Sequence, residues 1–168
     1  AGRQSPTAAS ATETAGEVLA LSMIILGEKD EAALALGRTA GVAFGLVGIL
    51  RAIAYQAHRR RFLIPQELVD REGISLRNVF AFKQPNTALN LSVAAVGARA
   101  KTLTEDVANQ TKKVTLPART FLLEARIAAY HLNRLRAAGF NPFAARIGEK
   151  SDGLLLWQLA GRRLFGRY

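Results

Sequence analysis

The segment from Glu31 to about Arg59 contains no proline, and its centre, Ala40 to Leu50, has an apolar residue or a glycine at every position. Asp30 precedes it, where an aspartate side chain can accept hydrogen bonds from the first free backbone amides of a helix. A helix that is apolar on every side has to be buried. The segment therefore predicts a long helix in the middle of a helical bundle.

Glycines recur along one face of this predicted helix. Gly37, Gly41, Gly45 and Gly48 follow one another at spacings of four, four and three residues. Residues at these spacings share a face. A face with so few side chains either allows another helix to pack very closely or lines a cavity, and the spacing is compatible with both.

The length of the uncharged stretch tests membrane insertion. The longest uncharged apolar stretch, Thr39 to Leu50, has twelve residues and lies between two arginines, whereas a spanning helix needs roughly 20 residues. We therefore predict that the chain does not cross a membrane. Residues 1–11 lack the apolar core of a secretory signal and predict a flexible leader. One helical domain is predicted over residues 12–168.

The rest of the chain has helical rather than strand periodicity. We expect a first helix from Glu13 to Leu26, a short helix from Pro65 to Glu72, a loop from Asn78 to Asn86, and a terminal helix from Leu154 to Phe165 that carries Trp157. Two further long helices have apolar stripes at spacings of three and four residues. The stripes are Leu89, Val93, Val96, Ala100, Leu103 and Val107 in one helix, and Phe121, Leu122, Ala125, Ala129, Leu132 and Leu135 in the other, which Pro117 opens and Gly139 ends. The predicted fold class is all-α, with five or six helices.

The charge of the chain points to an anionic partner. The 168 residues contain 23 Lys and Arg against 13 Asp and Glu, a net charge of +10. Residues 1–50 hold 3 basic and 5 acidic side chains, whereas residues 51–168 hold 20 and 8, so the basic surface begins at Arg51. The absence of cysteine excludes a disulfide scaffold and a thiolate zinc site. His58 and His131 are too few to bind a metal without carboxylates.

A basic cluster follows the predicted long helix. Arg59, Arg60 and Arg61 come at its end, where positive charge complements the helix dipole and contributes a few tenths to about 1 kcal/mol. The alternative is an anion-binding site. The charge pattern alone favours neither interpretation.

This region also resembles a known family. Gly41 to Arg51, followed by Arg59-x-Arg61-x-x-x-Pro65, is similar to the second half of the squalene/phytoene synthase family, which joins isoprenyl diphosphates head to head. Active members have Gln-x-x-Asn-Ile-Leu-Arg-Asp-x-x-x-Asp in this helix, followed by Arg-x-Arg-x-Tyr-Leu-Pro. The resemblance implies an isoprenoid-synthase-like helical bundle, of which this chain is the C-terminal half.

The chain departs from this pattern at the residues that would bind metal. Ala52 and Gln56 stand at the two aspartate positions, and Gly45 and Gly48 at the Gln and Asn positions. A diphosphate leaving group needs magnesium held by carboxylates, and neither alanine nor glutamine supplies a charge. The family's upstream aspartate-rich motif is also not found in residues 1–168. We therefore expect a pseudoenzyme with no catalytic residue, no cofactor and no bound metal.

One branch of the family has the same kind of substitution. Leu50-Arg51-Ala52-Ile53-Ala54-Tyr55-Gln56 is similar to the assembly factors of mitochondrial respiratory complex I and their alphaproteobacterial relatives. This resemblance implies a structural subunit or assembly factor of a mitochondrial protein complex, in the matrix or associated with the inner membrane. We expect another protein subunit to cover the glycine face from Gly37 to Gly48.

Two alternatives remain, an isoprenoid- or lipid-binding module and a fragment of a prenyl-transferring synthase. In either case the residues expected to bind a diphosphate or a lipid head group are Arg51, Arg59, Arg60 and Arg61. Anionic phospholipid remains open as a further partner, and nucleic acid is less favoured because no motif with interleaved aromatic residues is present.

Overall fold

The computed structural model describes residues 8–61, 66–71, 73–81 and 87–144. These ranges contain α1 (Ala8–Ile25), α2 (Glu31–His58), α3 (Gln66–Arg71), α4 (Leu76–Phe80), α5 (Thr87–Gln110), α6 (Leu116–Arg119) and α7 (Leu123–Ala137). A 3₁₀ turn, Thr111–Lys113, lies between α5 and α6. The described ranges contain no strand, and the prediction of an all-α fold is confirmed.

Helix α2 is the central helix of this arrangement, since α1, α5 and α7 all pack against it. Its predicted bounds are confirmed to within one residue. The carboxylate of Asp30 accepts hydrogen bonds from the amides of Ala32 and Ala33 at 3.3 and 3.2 Å, which is the expected N-cap.

The length and composition of α2 would also allow it to cross a membrane, although 50% of its most apolar stretch is buried inside the fold. A core helix of a soluble protein has the same composition. That the chain does not span a membrane stays a prediction.

Glycines bring α1 and α2 into close contact. A Cβ atom at position 41 would overlap the carbonyl oxygen of Ala15 and lie 2.8 Å from Cα of Gly16, and one at position 37 would overlap the sulfur of Met23. Close helix packing, one of the two interpretations of the glycine face, is therefore confirmed at Gly37 and Gly41. The expectation that another protein covers this face is wrong at these two positions, because α1 of the same chain occupies them.

Helices α5 and α7 complete the core on the other sides of α2. One buried cluster joins Leu50 and Ile53 of α2 to Leu89 and Val93 of α5 and to Leu135 of α7. A second cluster joins α1 and α2 to the ends of α5 and α7 that lie nearest the α1–α2 turn, with Leu19, Met23, Leu36, Val107, Leu122 and Ala125 among its members. The apolar stripes predicted for α5 and α7 supply most of these contacts.

Glu28 links the α1–α2 turn to the start of α6. Its carboxylate is buried, accepts a hydrogen bond from the hydroxyl of Thr115 at 2.7 Å, and accepts two more from the amides of Lys29 and Asp30 at 3.0 and 3.1 Å. These hydrogen bonds, the one from Thr115 foremost, hold the pKa of Glu28 below its ordinary value. The stabilisation from a lowered carboxyl pKa is present at neutral pH and is lost as the pH falls through that pKa.

The structure differs from the sequence prediction at the start of α1 and at α4. Helix α1 begins at Ala8 rather than Glu13, so residues 8–11 of the predicted leader are helical; alanines at positions 8, 9 and 11 favour this extension. The loop predicted from Asn78 includes the last turn of α4 instead. That helix forms because the Ser75 hydroxyl accepts a hydrogen bond from the amide of Asn78 at 3.4 Å and because Val79 is fully buried.

The single helix predicted from Pro117 to Gly139 is divided into α6 and α7. The amides of residues 121–125 bond to carbonyls three residues back rather than four, and this tighter winding separates the two helices. The predicted terminal helix, Leu154 to Phe165 with Trp157, lies outside the described residues, as do residues 1–7 and Leu63.

We expect Gly41→Ala to lower the free energy of unfolding by about 1–3 kcal/mol, the usual cost of overpacking, because the new Cβ would push α1 away from α2. Gly48→Ala on the same helix is the matched control, since its Cβ would meet nothing within 4 Å. We expect this control to raise the free energy of unfolding by roughly 0.5–1 kcal/mol, because alanine forms helix better than glycine. Urea titrations followed by circular dichroism measure both. Equal changes in the free energy of unfolding for Gly41→Ala and Gly48→Ala would contradict the close contact between α1 and α2.

Candidate functional site

The four positions expected to carry metal ligands lie on one face of α2. Gly45, Gly48, Ala52 and Gln56 follow one another at spacings of three and four residues within the uninterrupted helix. All four are half-buried. The glycine face is thus divided, because α1 closes it at Gly37 and Gly41, whereas a Cβ at Gly48 would enter open space.

This face offers almost no ligand to a cation. Glycine and alanine have no side-chain donor atom, so the one side-chain oxygen at these positions is Oε1 of Gln56. That oxygen is buried and has no hydrogen-bond partner among the residues that the structure describes. Within the described ranges, no three His, Asp or Glu side chains come together as metal ligands.

The basic cluster continues directly from this face. Arg59, Arg60 and Arg61 are exposed at the C-terminal end of α2, and Arg51 is half-buried two turns earlier. The guanidinium of Arg59 lies 4.6 Å from the ring centroid of Tyr55, a cation–π contact within the helix. Arg51, Tyr55 and Arg59 form a row with a spacing of four residues, next to the row that ends at Gln56.

Arg60 has a backbone conformation that disfavours a side chain. Its φ is +50°, in the left-handed region. The amides of Arg60 and Arg61 donate to the carbonyls of Ala57 and Gln56 at 3.0 and 2.9 Å, and this helix-ending motif usually has glycine at the left-handed position. Glycines occupy that position after three other helices, namely Gly27 after α1, Gly73 after α3 and Gly139 after α7. Helix α2 therefore carries a basic side chain where these helices have none.

A family model for squalene/phytoene synthase matches residues 11–158 of this sequence. The chain belongs to the squalene/phytoene synthase family. The resemblance inferred from Gly41 to Pro65 is confirmed at this level, and the all-α architecture agrees with it. A search of curated proteins finds no match to the chain.

The family's magnesium does not fit the residues that this member of the squalene/phytoene synthase family presents. Magnesium requires oxygen ligands in near-octahedral geometry and is bound in proteins mainly through carboxylates. Ala52 offers no oxygen, and Gln56 offers one neutral amide oxygen. Neither of these two side chains supplies a carboxylate in any rotamer, so the mismatch with magnesium does not depend on side-chain conformation.

The two histidines lie on different helices. His58 is exposed near the end of α2, whereas His131 is buried on α7, where its ring meets that of Tyr130 edge-on with centroids 5.3 Å apart. Neither belongs to a cluster of metal ligands among the described residues.

The outer face of α1 is a candidate site that was not predicted from the sequence. Its inner face is buried against α2, yet the outer face exposes Val18, Leu21, Ile24 and Ile25, of which Ile25 is 82% exposed; Leu26, directly after the helix, is exposed as well. Val18, Leu21 and Ile25 follow at spacings of three and four residues, the pattern of a helix that packs against another helix. The sequence contains a signal for this exposed face, because α1 has apolar residues on both of its sides.

We expect Arg60→Gly to raise the free energy of unfolding by roughly 1 kcal/mol, because glycine adopts the left-handed conformation without the cost that a side chain brings. Arg59→Gly is the matched control: it removes the same charge at φ −93°, where glycine has no advantage, and it also removes the contact with Tyr55. Urea unfolding of both variants measures the difference. If Arg60→Gly lowers the free energy of unfolding as much as Arg59→Gly does, the backbone at Arg60 is not strained.

Proposed function

We propose that this protein is a non-catalytic member of the squalene/phytoene synthase family that acts as a structural subunit or assembly factor of a protein complex. The observation that carries the proposal is the face of α2 on which Ala52 and Gln56 stand at the aspartate positions. A departing diphosphate develops negative charge that a metal ion normally compensates. Here this face of the helix supplies no carboxylate.

The arginines at the end of α2 do not replace a metal ion in compensating the charge of a departing diphosphate. A guanidinium can bind phosphate oxygens. Arg59, however, stacks on Tyr55, and Arg59 to Arg61 are all exposed, where water screens their charge. Binding of an anion at this end of α2 is therefore compatible with the proposal, whereas ionisation of a prenyl diphosphate requires a dry, metal-bearing site.

The outer face of α1 supports the contact with another protein. Monomeric proteins rarely expose contiguous apolar patches larger than a few hundred Å², and larger patches mark interaction sites. The charge around this face opposes an anionic membrane, because residues 8–50 hold two basic and five acidic side chains. We therefore assign this face to a protein partner that presents an apolar helix with basic flanking residues.

The assignment to a respiratory-chain complex rests on the resemblance of Leu50 to Gln56 to the complex I assembly-factor branch. On this ground we propose a mitochondrial location, in the matrix or at the inner membrane.

The second candidate function is binding of an isoprenoid or another lipid without chemistry. The open space at Gly48, next to the half-buried side of α2, favours it. Native mass spectrometry of the purified protein separates the two candidates, since a co-purified lipid would support binding and a co-purified subunit would support the structural role.

Incubated with farnesyl or geranylgeranyl diphosphate and magnesium, the protein is expected to release no more pyrophosphate than a reaction without protein, because α2 binds no metal. A variant with both Ala52→Asp and Gln56→Asp restores the carboxylates and is expected to gain magnesium binding in a calorimetric titration. Pyrophosphate release by the unchanged protein that disappears in Arg51→Ala would overturn the proposal.

Leu21→Glu is expected to abolish co-purification of the partner subunit, because it places a charge at the centre of the exposed face of α1. Leu91→Glu is the matched control: Leu91 on α5 is 60% exposed and Leu21 is 57% exposed. Native mass spectrometry of complexes purified from the source cells measures the stoichiometry. If both variants retain the partner, α1 is not the contact.

A further inference from the structure

A pocket of about 150 Å³ lies between the C-terminal part of α5 and the first turns of α7. None of its lining residues belongs to α2, so it is separate from the face described above. Six lining residues are apolar: Val107, Ala108, Leu122, Leu123, Ala125 and Ala129. A pocket of this volume has room for a group about the size of a benzene ring.

The threonines of the pocket have their hydroxyl donors already in use. Thr104 donates to the carbonyl of Lys101 at 2.8 Å, and Thr111 donates to the carbonyl of Val107 at 2.7 Å. The donors left for a ligand therefore come from the two arginines that line the pocket, Arg119 and Arg126.

Arg119 is held in place by the backbone. Its Nε donates to the carbonyl of Val114 at 2.5 Å, and its Nη2 donates to the carbonyl of Lys112 at 2.7 Å. A guanidinium has five N–H donors, so these two bonds leave donors for a further acceptor. The side chain is thus oriented before any ligand arrives, which lowers the entropic cost of binding.

The acidic residues nearest in the sequence do not neutralise these arginines. On α5, Glu105 pairs with Lys101 and Asp106 accepts from Gln110, both at 2.6 Å. On α7, burial raises the pKa of Glu124, and the ion pairs found among the described residues do not include this carboxyl. Among the residues that the structure describes, neither arginine pairs with a carboxylate.

We propose that this pocket binds a small amphipathic carboxylate. Its apolar part, a phenyl ring or a chain of about six carbon atoms, packs among Val107, Leu122 and Ala129. Its carboxylate accepts hydrogen bonds from Arg119 and Arg126, the geometry that a guanidinium favours. The site is independent of the proposed function, because it uses no residue of α1 or α2.

Titration of the full chain with hexanoate, followed by two-dimensional NMR, tests this assignment. Saturable shifts are expected for the lining residues Val107, Leu122 and Leu123. Ala129→Leu fills the pocket and is expected to weaken binding about tenfold or more, whereas Ala137→Leu, the same change at an exposed position of α7, leaves the Kd unchanged.

The charge is tested separately. Arg126→Gln is expected to weaken hexanoate binding about tenfold, and Arg136→Gln, at an exposed position of the same helix, is expected to have no effect. Hexanol and acetate, which each retain one half of the ligand, are expected to bind more weakly than hexanoate. Equal binding of hexanol and hexanoate would overturn the role of the arginines. Absence of saturable shifts, or shifts insensitive to Ala129→Leu, would overturn the site.

Discussion

The close approach of α1 to α2 determines which sides of the central helix are left for the other helices. Because Gly37 and Gly41 have no side chains, the backbone at Ala15 and Gly16 and the sulfur of Met23 lie directly against α2. Two local interactions fix the turn between the helices, the Asp30 cap of α2 and the hydrogen bond from Thr115 to Glu28. Among the described residues, α5 and α7 pack on other sides of α2, and a Cβ at Gly48 would enter open space.

The bounds of a helix can be predicted from the sequence where they depend on local signals, such as a capping residue or the absence of proline. Helix α2 matches its prediction to within one residue because Asp30 is a strong cap and no proline interrupts the segment. Whether its glycines face a helix or a cavity depends on which helix packs there, and that is a tertiary property which spacing does not encode. Helix α4 was missed for a related reason, since five residues form a helix there through the Ser75 cap and the complete burial of Val79.

That positions 52 and 56 carry no carboxylate follows from residue type alone, because alanine and glutamine cannot supply one in any conformation. The three-dimensional arrangement adds what residue types do not show: the buried, unpartnered Oε1 of Gln56 and the open space at Gly48. The left-handed conformation of Arg60 could not be predicted from the sequence, because glycine, the usual residue in this conformation, is not present there. The exposed face of α1 and the pocket beside α7 depend on which sides of these helices are covered by the fold.

We propose that α2 has the position of the family's catalytic helix and lacks its metal site. Equilibrium binding of farnesyl diphosphate, measured with magnesium and again with the metal removed by a chelator, tests this proposal. If α2 holds no metal, magnesium does not lower the Kd, and any affinity for the ligand comes from the arginines and the apolar surface. A Kd that falls about tenfold or more with magnesium, equivalent to about 1.4 kcal/mol, and loses that dependence in Gln56→Ala, would contradict the claim.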